Sequence, residues 1–283
     1  MRYSGIRYRF AFQQSSLKKV TNGLFLIFLL LGFVFNSCTK KGNASNESGI
    51  AISFDDHFID EWYALRPLFQ KYNAKVTFFI TCGDSLTADE ITKLKQLQKD
   101  GHEIGFHGTI HGKSTELIAS GAENYAKTEL DPGMRFMAAA GFYPTSYAHP
   151  GGNHNEQVDS VLLARGFKIL RDVGISRRIL FGIPLYTTVP KIMNWIYYPF
   201  NQEKTVDALL IDQDSGITEE EMQEAIQKAK DTNTAVMVFG HEPLYKAPEN
   251  GEYGFNVSFL ESILKEAKRQ NLRFYRMTEL VEE

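Results

Sequence analysis

The sequence predicts an α/β fold in which a mainly parallel sheet closes, or nearly closes, into a barrel with helices packed outside it. Three observations support this prediction. Short β-branched or aromatic runs alternate with helix-like segments over most of the chain. These runs are almost continuously apolar, as strands are when both faces of a sheet are buried. The number of strand–helix units also fits a β/α barrel.

The predicted elements follow one another in regular order. The first strand is bounded by Gly49 and by the acidic pair at 55–56. The clearest helix is 87–101, because Thr87 and Glu90 form a capping-box pattern and Gly101 closes it. Predicted strands occupy 50–54, 75–80, 102–107, 145–150, 167–173, 208–213, 234–239 and 272–277. Predicted helices occupy 60–73, 87–101, 155–166, 218–230 and 258–270, and 114–140 is mostly helical with a break at Pro132–Gly133.

The N-terminal segment is not expected to belong to this fold. It is basic, and it leads into an uncharged apolar run at 24–35 that is followed by small residues. This order is typical of a secretory signal, and the run is shorter than the ~20 residues that a membrane-spanning helix needs. We therefore expect 1–37 to be a signal peptide, with an uncleaved membrane anchor as the alternative.

Cys38 predicts a lipid attachment site. The sequence Phe-Asn-Ser-Cys at 35–38 resembles a loose bacterial lipobox, although Phe35 departs from the usual leucine. A polar stretch rich in Gly, Ser and Asn follows it and suits a flexible tether over 38–48. The remaining 49–283 would form one domain, held at the cell envelope by the lipid anchor, on the periplasmic face or the outer surface.

Charge and cysteine content exclude two classes of protein. Residues 1–37 hold five basic and no acidic residues, so the rest of the chain carries 26 basic against 34 acidic residues. No part of it clusters Lys and Arg on one face, so we expect no nucleic-acid partner. Cys82 is the only cysteine after Cys38, and the domain therefore cannot contain an intrachain disulfide.

Most histidines follow predicted strands. The carboxyl ends of parallel strands meet at one end of a barrel, where chemistry is found in such folds. His102 alone begins a strand, and it is expected to be structural. The residues expected at the carboxyl ends are Asp55, Asp56, His57, His107, His111, His149, His154 and His241.

His107 and His111 suggest a metal site. Four residues apart, they would share one face if the loop turns helically, close enough for both imidazoles to bind one ion. A carboxylate from another strand end would complete a two-histidine, one-carboxylate site. Asp55 and Asp56 would point in opposite directions on an extended strand, one toward the metal and one toward a substrate. Alternatively, the acidic pair only caps the next helix.

Four segments together resemble the ordered motifs of the polysaccharide deacetylases, the NodB-homology domain of carbohydrate esterase family four. They are SFDD at 53–56, GHEIGFHGTIH at 101–111, AHPGG at 148–152 and FGH at 239–241. The resemblance runs from about residue 49 to the end of the chain, and its first two motifs are the most specific. It implies a distorted (β/α) barrel, here of about seven parallel strands with outer helices, and metal-dependent removal of acetyl groups from acetylated sugars.

The resemblance also implies roles for individual residues. Metal ligands would be Asp56, His107 and His111, and the ion would be a single divalent metal, most simply zinc. Asp55 would be the general base and His241 the general acid. Substrate and oxyanion contacts would come from His149, Pro150, Gly151 and Phe239, with a backbone N–H near Gly151 facing the oxyanion.

The chain departs from the family pattern at four places. Ala148 stands where the third motif often has an arginine that orients the catalytic aspartate, and Arg171 on the next strand is a candidate substitute. Phe239 replaces a leucine of the acetyl pocket. His57 replaces a common glycine and is a fourth ligand, a sugar contact or a solvated residue. The fourth motif is not recognisable, and its acid could be Asp172, Asp212 or Asp214.

The segment 174–201 is longer than an ordinary strand–helix connection. Its aromatic residues could stack on sugar rings or could form a small apolar cluster of their own. They are Tyr186, Trp195, Tyr197 and Tyr198.

The sequence thus predicts an envelope lipoprotein with a metal-dependent deacetylase domain that acts on an acetylated glycan. Two alternatives stay open. A silent member of the family would bind glycan or metal without turnover, as Ala148 and the missing fourth motif suggest. A hydrolase of another amide bond would use the same metal and acid–base pair.

Overall fold

A computed structural model describes residues 47–174, 176–180, 183–187, 189–246 and 253–281. The predicted signal peptide, Cys38 and most of the tether lie outside these residues. Glu47 and Ser48 already belong to the domain, because Tyr275 bonds the backbone of Glu47 and the Arg273 N–H donates to the Ser48 carbonyl. Within the described residues, no helix combines the length and apolar character needed to cross a bilayer.

A closed barrel of seven parallel strands forms the centre of the domain, as predicted. Its strands neighbour one another in the order β1, β2, β3, β4, β5, β9 and β10, and β10 pairs back with β1. The strands are β1 (Gly49–Asp56), β2 (Thr77–Ile80), β3 (Glu103–Phe106), β4 (Ser146–Ala148), β5 (Ile169–Val173), β6 (Ser176–Leu180), β7 (Ile183–Thr187), β8 (Tyr197–Tyr198), β9 (Thr205–Leu210), β10 (Ala235–Gly240), β11 (Pro243–Leu244), β12 (Phe255–Asn256) and β13 (Arg273–Tyr275).

The first strand is shared between three neighbours. One edge of β1 pairs with β10 over its first six residues, while its other edge pairs first with β13 and then with β2. Seven of its eight residues are buried, which explains its unbroken apolar sequence. The acidic end of β1 is therefore held at the centre of the carboxyl-terminal face.

Helices cover the outside of the barrel. They are α1 (Ile59–Ala64), α2 (Arg66–Tyr72), α3 (Ala88–Lys99), α4 (Ser114–Ile118), α5 (Ala122–Tyr125), α6 (Asp131–Ala139), α7 (Glu156–Ala164), α8 (Glu219–Thr232) and α9 (Val257–Arg269). The capping box of Thr87 and Glu90 is formed at the start of α3. An equivalent box, from Thr218 and Glu221, begins α8.

Two predicted helices are divided differently from expectation. The segment 60–73 splits at Leu65, which ends α1 and precedes the proline-containing first turn of α2. The predicted break at Pro132–Gly133 is wrong, because both residues lie in the first turn of α6, where a proline costs little. The helical segment is interrupted earlier, at 119–121. A π turn (Ala126–Leu130) then leads into α6.

An aromatic core between the barrel and its helices supports the carboxyl-terminal ends of β1 and β10. Phe54 of β1 stacks on Phe78 and Phe255, with ring centroids 5.7 and 5.1 Å away. Trp62 is fully buried beside them, and its indole N–H donates to the backbone carbonyl of His241 over 2.9 Å. Helix α1 thus fixes the backbone at the end of β10.

The segment 174–201 contains an antiparallel hairpin, β6–β7, that the sequence analysis did not anticipate. Tyr197 and Tyr198 are buried, and they pair with the first residues of β10, at the barrel end opposite the histidines. Trp195 donates its indole N–H to the Gly174 carbonyl. These three aromatics therefore pack against the core, with Trp195 half-buried, and the side chain of Tyr186 lies outside the described residues.

Candidate metal centre and active site

A cavity of about 170 Å³ opens at the carboxyl-terminal end of the barrel. Four of the strand ends that contribute to it carry lining residues singled out in the sequence. Its lining includes Asp55, His107, His111, His149, Gly151, Phe239 and His241. The structure therefore brings predicted site residues from β1, β3, β4 and β10 to one place.

Asp55 and Asp56 do not point in opposite directions, contrary to expectation. Asp56 has a φ of +89°, a conformation that breaks the alternation of an extended strand. Its Oδ1 lies 3.6 Å from His107 Nε2, and Asp55 Oδ2 lies 3.8 Å from the same nitrogen. Both carboxylates consequently face one imidazole. Burial raises the pKa of Asp56, and the neighbouring Asp55 adds to that rise against the opposing effect of His241.

Asp56, His107 and His111 are grouped as metal ligands would be. Each offers a donor atom, and the three atoms lie within 4.8 Å of one another. His107 Nδ1 bonds the Ala148 carbonyl over 2.9 Å, which leaves Nε2 free for an ion. Burial lowers the pKa of His107 to about 4, so its ring is neutral at neutral pH, as ligation requires. This donor set fits a divalent ion such as zinc.

The loop between the two histidines is not helical. Gly108 has a φ of +84° and His111 a φ of +54°, so the expected helical turn is absent although the ring centroids are 4.9 Å apart. The Gly108 carbonyl accepts from the Cys82 N–H over 3.0 Å, which ties the loop to the segment after β2. The proximity of the histidines was predictable, but the backbone that creates it was not.

Arg171 contacts the carboxylate of Asp55 inside the barrel. Its guanidinium donates to Asp55 Oδ2, and both side chains are almost completely buried. The Phe239 ring lies under the guanidinium, 4.2 Å from its carbon to the ring centroid. Burial raises the pKa of Asp55, but Arg171, His107 and His241 outweigh it, and that pKa lies below its ordinary value.

Asp212 is the carboxylate that holds His241. Its Oδ2 lies 2.6 Å from His241 Nδ1, and its Oδ1 accepts from the His241 backbone N–H over 3.1 Å. Burial lowers the pKa of His241, but the Asp212 contact and the carboxylates of β1 outweigh it and raise that pKa. Of the three acids left open by the sequence, Asp212 alone contacts His241. The Tyr253 hydroxyl lies 2.5 Å from His241 Nε2, a contact that the sequence analysis did not identify.

His154 and Asp172 belong to a separate charge cluster next to the cavity. His154 Nδ1 lies 2.9 Å from Asp159 Oδ1, and its Nε2 lies 2.9 Å from Asp172 Oδ2. These bonds raise the pKa of His154 to about 10. The donor atoms of His149, His154 and Asp159 lie within 4.8 Å of one another, but the two rings are stacked, with centroids 4.2 Å apart and planes 18° apart, so their in-plane lone pairs run side by side. We therefore interpret this cluster as an ion-pair network, in which Asp172 does not contact Asp55.

The two remaining histidines lie away from the cavity. His57 bonds the Thr81 carbonyl and Glu90, at 2.7 and 2.9 Å, and contributes no ligand to the group formed by Asp56. His102 is buried between Phe69 and Phe78 at the other end of the barrel, as expected of a structural residue.

Glu129 is a buried carboxylate that no motif or spacing in the sequence indicates. It lies in the π turn and is fully buried against the loop between His107 and His111. Burial raises its pKa to about 7, against the effect of backbone N–H groups that point at the carboxylate.

Fold and site together define a β/α-barrel protein with a group of two histidines and one aspartate that could hold a metal ion, next to the Asp55–Arg171 and His241–Asp212 pairs. Residues 42–170 match the family model for polysaccharide deacetylases. The matched range contains Asp55, Asp56, His107 and His111 and ends before Arg171. The resemblance inferred from the motifs is thereby confirmed.

Two curated proteins are similar over part of the chain. A chitin deacetylase of Arthroderma benhamiae is 33% identical over 91 residues, which cover 32% of this chain and 23% of the relative. A bifunctional xylanase/deacetylase of Pseudobutyrivibrio xylanivorans is 28% identical over 103 residues, which cover 36% of this chain and 17% of the relative. The chain thus spans about a quarter or less of the length of these relatives.

Solved structures share the fold. The peptidoglycan deacetylase PdaC from Bacillus subtilis superposes with a TM-score of 0.51 at 15% identity, covering 83% of this chain and 91% of the other. A CE4 family pseudoenzyme from Bacillus anthracis superposes with a TM-score of 0.50 at 14% identity, covering 84% of this chain and 67% of the other. At these identities the comparison concerns the fold alone.

Proposed function

We propose that this protein is a metal-dependent hydrolase that removes acetyl groups from an N-acetylated or O-acetylated polysaccharide or cell-envelope glycan. One observation carries the proposal. Asp55 with its Arg171 partner and His241 with its Asp212 partner border the same cavity as the metal-ligand group of Asp56. A base, an acid and a Lewis-acid site around one cavity are the parts that hydrolysis of an acetyl amide or ester needs.

Asp56, His107 and His111 would hold the ion, for which zinc is the simplest choice. A divalent ion bound there supplies a Lewis acid and lowers the pKa of a water that it binds from ~15.7 toward ~7. The bond from His107 Nδ1 to the Ala148 carbonyl fixes the ring so that Nε2 faces this position.

Asp55 is suited to act as the base. Arg171 holds the carboxylate ionised in a buried position and fixes its direction through the guanidinium contact. Asp55 would take a proton from the attacking water at the carboxylate oxygen that Arg171 leaves free. A buried Asp55 Oδ1 without a hydrogen-bond partner among the described residues is consistent with this assignment.

His241 is suited to act as the acid. Asp212 accepts from Nδ1 and so directs Nε2, the other ring nitrogen, toward the cavity. That nitrogen would give a proton to the departing sugar nitrogen or oxygen. Tyr253, whose hydroxyl now contacts Nε2, must move aside for a leaving group to reach it. Phe239 and Gly151 line the same cavity and would contact the acetyl group.

A catalytically silent, glycan-binding protein of the same fold is the second candidate. Ala148 at the third motif and the Tyr253 hydroxyl on the acid both favour it. A pseudoenzyme of this fold exists among the solved structures. Activity measurements separate the two candidates, since both would bind the same ligand.

The location of the protein is also part of the proposal. Lipid attachment at Cys38 would anchor the domain to the cell-envelope membrane, with the glycan as its other partner. Incorporation of a labelled fatty acid into the wild-type chain, and its loss in Cys38→Ala, would test the anchor.

Metal content and acetate release test the function together. The full chain is dialysed exhaustively, given one equivalent of zinc, and compared with His111→Ala. The wild type should keep about one zinc per chain and release acetate from N-acetylglucosamine oligomers or acetylated xylan. His111→Ala should do neither. Zinc retention without acetate release from any acetylated glycan would favour the silent candidate, and failure of the wild type to retain zinc would refute the metal centre.

A further inference from the structure

Strand β3 and the loop after it position the two histidines of the metal centre in different ways. His107 directly follows β3 and is almost fully buried. His111 lies four residues further on, its side chain is 44% exposed, and its φ of +54° is uncommon for a residue with a side chain. Whatever holds the loop 108–112 in shape therefore determines where His111 stands.

The carboxylate of Glu129 holds this loop on both sides of His111. Its Oε2 accepts from the Ile110 N–H at 3.4 Å, and its Oε1 accepts from the Gly112 N–H at 3.3 Å. The backbone carbonyl of Glu129 accepts from the Thr109 N–H at 2.9 Å. Glu129 thus makes three contacts with the loop on either side of His111, and none of them depends on the His111 side chain.

Gly108 and Glu129 are complementary in shape. A Cβ placed on Gly108 would lie 2.0 Å from Glu129 Oε1, and a Cβ on Gly112 would lie 3.2 Å from Oε2. The first distance is far below a van der Waals contact. Position 108 therefore requires glycine for two reasons. The Glu129 carboxylate occupies the space of a side chain, and the backbone has a positive φ.

The segment that carries Glu129 is itself irregular. It is a π turn, an insertion that is rare in proteins as a whole but is often found at functional sites. Four residues later, the Gly133 N–H at the start of α6 donates to the Thr109 hydroxyl over 2.9 Å. The same segment thus contacts the loop through both a side chain and a helix N-terminus.

We propose that Glu129 is a positioning residue that fixes His111 for metal binding by accepting the N–H groups on either side of it. This inference rests on the metal centre proposed above. A residue that acts only in packing would affect folding, whereas a positioning residue affects zinc affinity in protein that is still folded. Supporting groups of this kind typically change metal affinity by ~10–100-fold when they are removed.

Glu103 provides a matched control, because it is a carboxylate on β3, the strand that directly precedes His107. It is a half-buried carboxylate at the start of β3, hydrogen-bonded to Ser146 and to the backbone N–H of Thr278 at the opposite end of the barrel. Glu103→Gln should lower stability without reaching the metal centre.

The zinc dissociation constants of the full chain and of Glu129→Ala, Glu129→Gln and Glu103→Gln are measured by competition with a chromogenic chelator. The melting temperatures of the metal-free proteins are recorded in parallel. We expect a dissociation constant about 10–100-fold higher for Glu129→Ala. We expect a smaller increase, of at least about threefold, for Glu129→Gln, which keeps one acceptor oxygen but turns an amide N–H₂ toward the other donor. Glu103→Gln should stay within about twofold of the wild type.

Two outcomes overturn the inference while the metal centre stands. One is a folded Glu129→Ala with wild-type zinc affinity. The other is a Glu103→Gln that loses as much affinity as Glu129→Ala at a similar loss of melting temperature. If Glu129→Ala does not fold, the test rests on Glu129→Gln. A zinc dissociation constant of Glu129→Gln within twofold of the wild-type constant then overturns the inference. A wild type that binds no zinc overturns the metal centre and this inference together.

Discussion

Arg171 reaches the carboxylate of Asp55 from the strand beside the one on which the family motif places its arginine. Ala148 of β4 and Arg171 of β5 are direct partners in register. Neighbouring strands lie about 4.8 Å apart, a distance that the long arginine side chain readily spans. The chain thus supplies a cation to Asp55 from the adjacent strand.

Removing this cation should abolish the proposed acetate release. Arg171→Ala leaves the buried Asp55 carboxylate without its counter-charge, a change that costs about 3–5 kcal/mol for a buried pair. We expect the kcat for acetate release to fall by at least about 100-fold and the free energy of unfolding to fall as well. Steady-state kinetics and urea unfolding measure the two effects. A variant with the wild-type kcat would show that Arg171 has no part in the reaction.

The register gives this prediction an internal control. Placing arginine on β4 in the double variant Ala148→Arg/Arg171→Ala returns a guanidinium to the same row of the sheet and uses the volume that Arg171 vacates. We expect the kcat of the double variant to be at least about tenfold higher than that of Arg171→Ala. Failure of a folded double variant to recover activity would mean that the β5 position is required for more than charge.

Much of this architecture was predictable because strand–helix alternation determines which residues meet. Asp55, His107 and His241 all end apolar runs, and parallel strands bring their carboxyl ends to one face. The barrel and the grouping of these residues therefore followed from periodicity and position alone.

Other parts of the site depend on features that a sequence does not display. The positive φ of Asp56 turns its carboxylate to the side of Asp55, although alternation along a strand predicts the opposite. The choice of Asp212 as the partner of His241 depends on the path of the chain after β9. Glu129 comes from a π turn, which has no recognisable sequence pattern.

The assignment of base and ligand can be separated by two substitutions. Asp55→Asn should retain zinc, because Asp55 is not in the ligand group, but should lose about 100- to 10,000-fold in kcat as general bases do. His107→Ala should lose zinc, because it removes the buried donor of the centre. Metal analysis after dialysis, together with acetate release, provides the measurement. Full activity in Asp55→Asn would contradict its role as base.

Asp212 should act through the imidazole of His241. In Asp212→Asn an amide can no longer stabilise the imidazolium form, and its N–H₂ group can face Nδ1, which disfavours the Nδ1–H tautomer that must remain after Nε2 gives up its proton. We expect the kcat to fall by about 100-fold or more with little change in KM, since the proton is transferred only in the transition state. Asp214→Asn, in the same turn but exposed, is the control and should keep wild-type kinetics. Equal effects in the two variants would argue against an orienting role for Asp212.

The ion-pair network around His154 should stabilise the fold in a pH-dependent manner. His154 lies between Asp159 of α7 and Asp172 of β5, with His149 stacked on it and Asp207 of β9 nearby. Its pKa is about 10 in the folded protein, against an ordinary value near 6.5. A raised pKa means that the stabilisation is fully present below about pH 6.5 and declines as the pH rises toward 10.

Comparison of His154→Gln with the wild type tests this sign. At pH 5.5 the variant should be less stable by roughly 1.5–3 kcal/mol, the range for hydrogen bonds to charged groups. At pH 10 most of that difference should be gone, because the pH then equals the folded-state pKa, about half of the imidazoles are neutral, and little of the stabilisation that builds up below that pH is left. Urea unfolding at both pH values measures the free energy of unfolding of each protein. Subtracting the wild-type value from the variant value at the same pH removes the contribution of the other titrating groups.

His57→Gln is the control for this comparison. His57 also bonds a carbonyl and a carboxylate but is exposed, so its removal should cost below about 1 kcal/mol. A His154→Gln difference of equal size at pH 5.5 and pH 10 would show that the side chain contributes through packing and not through its charge.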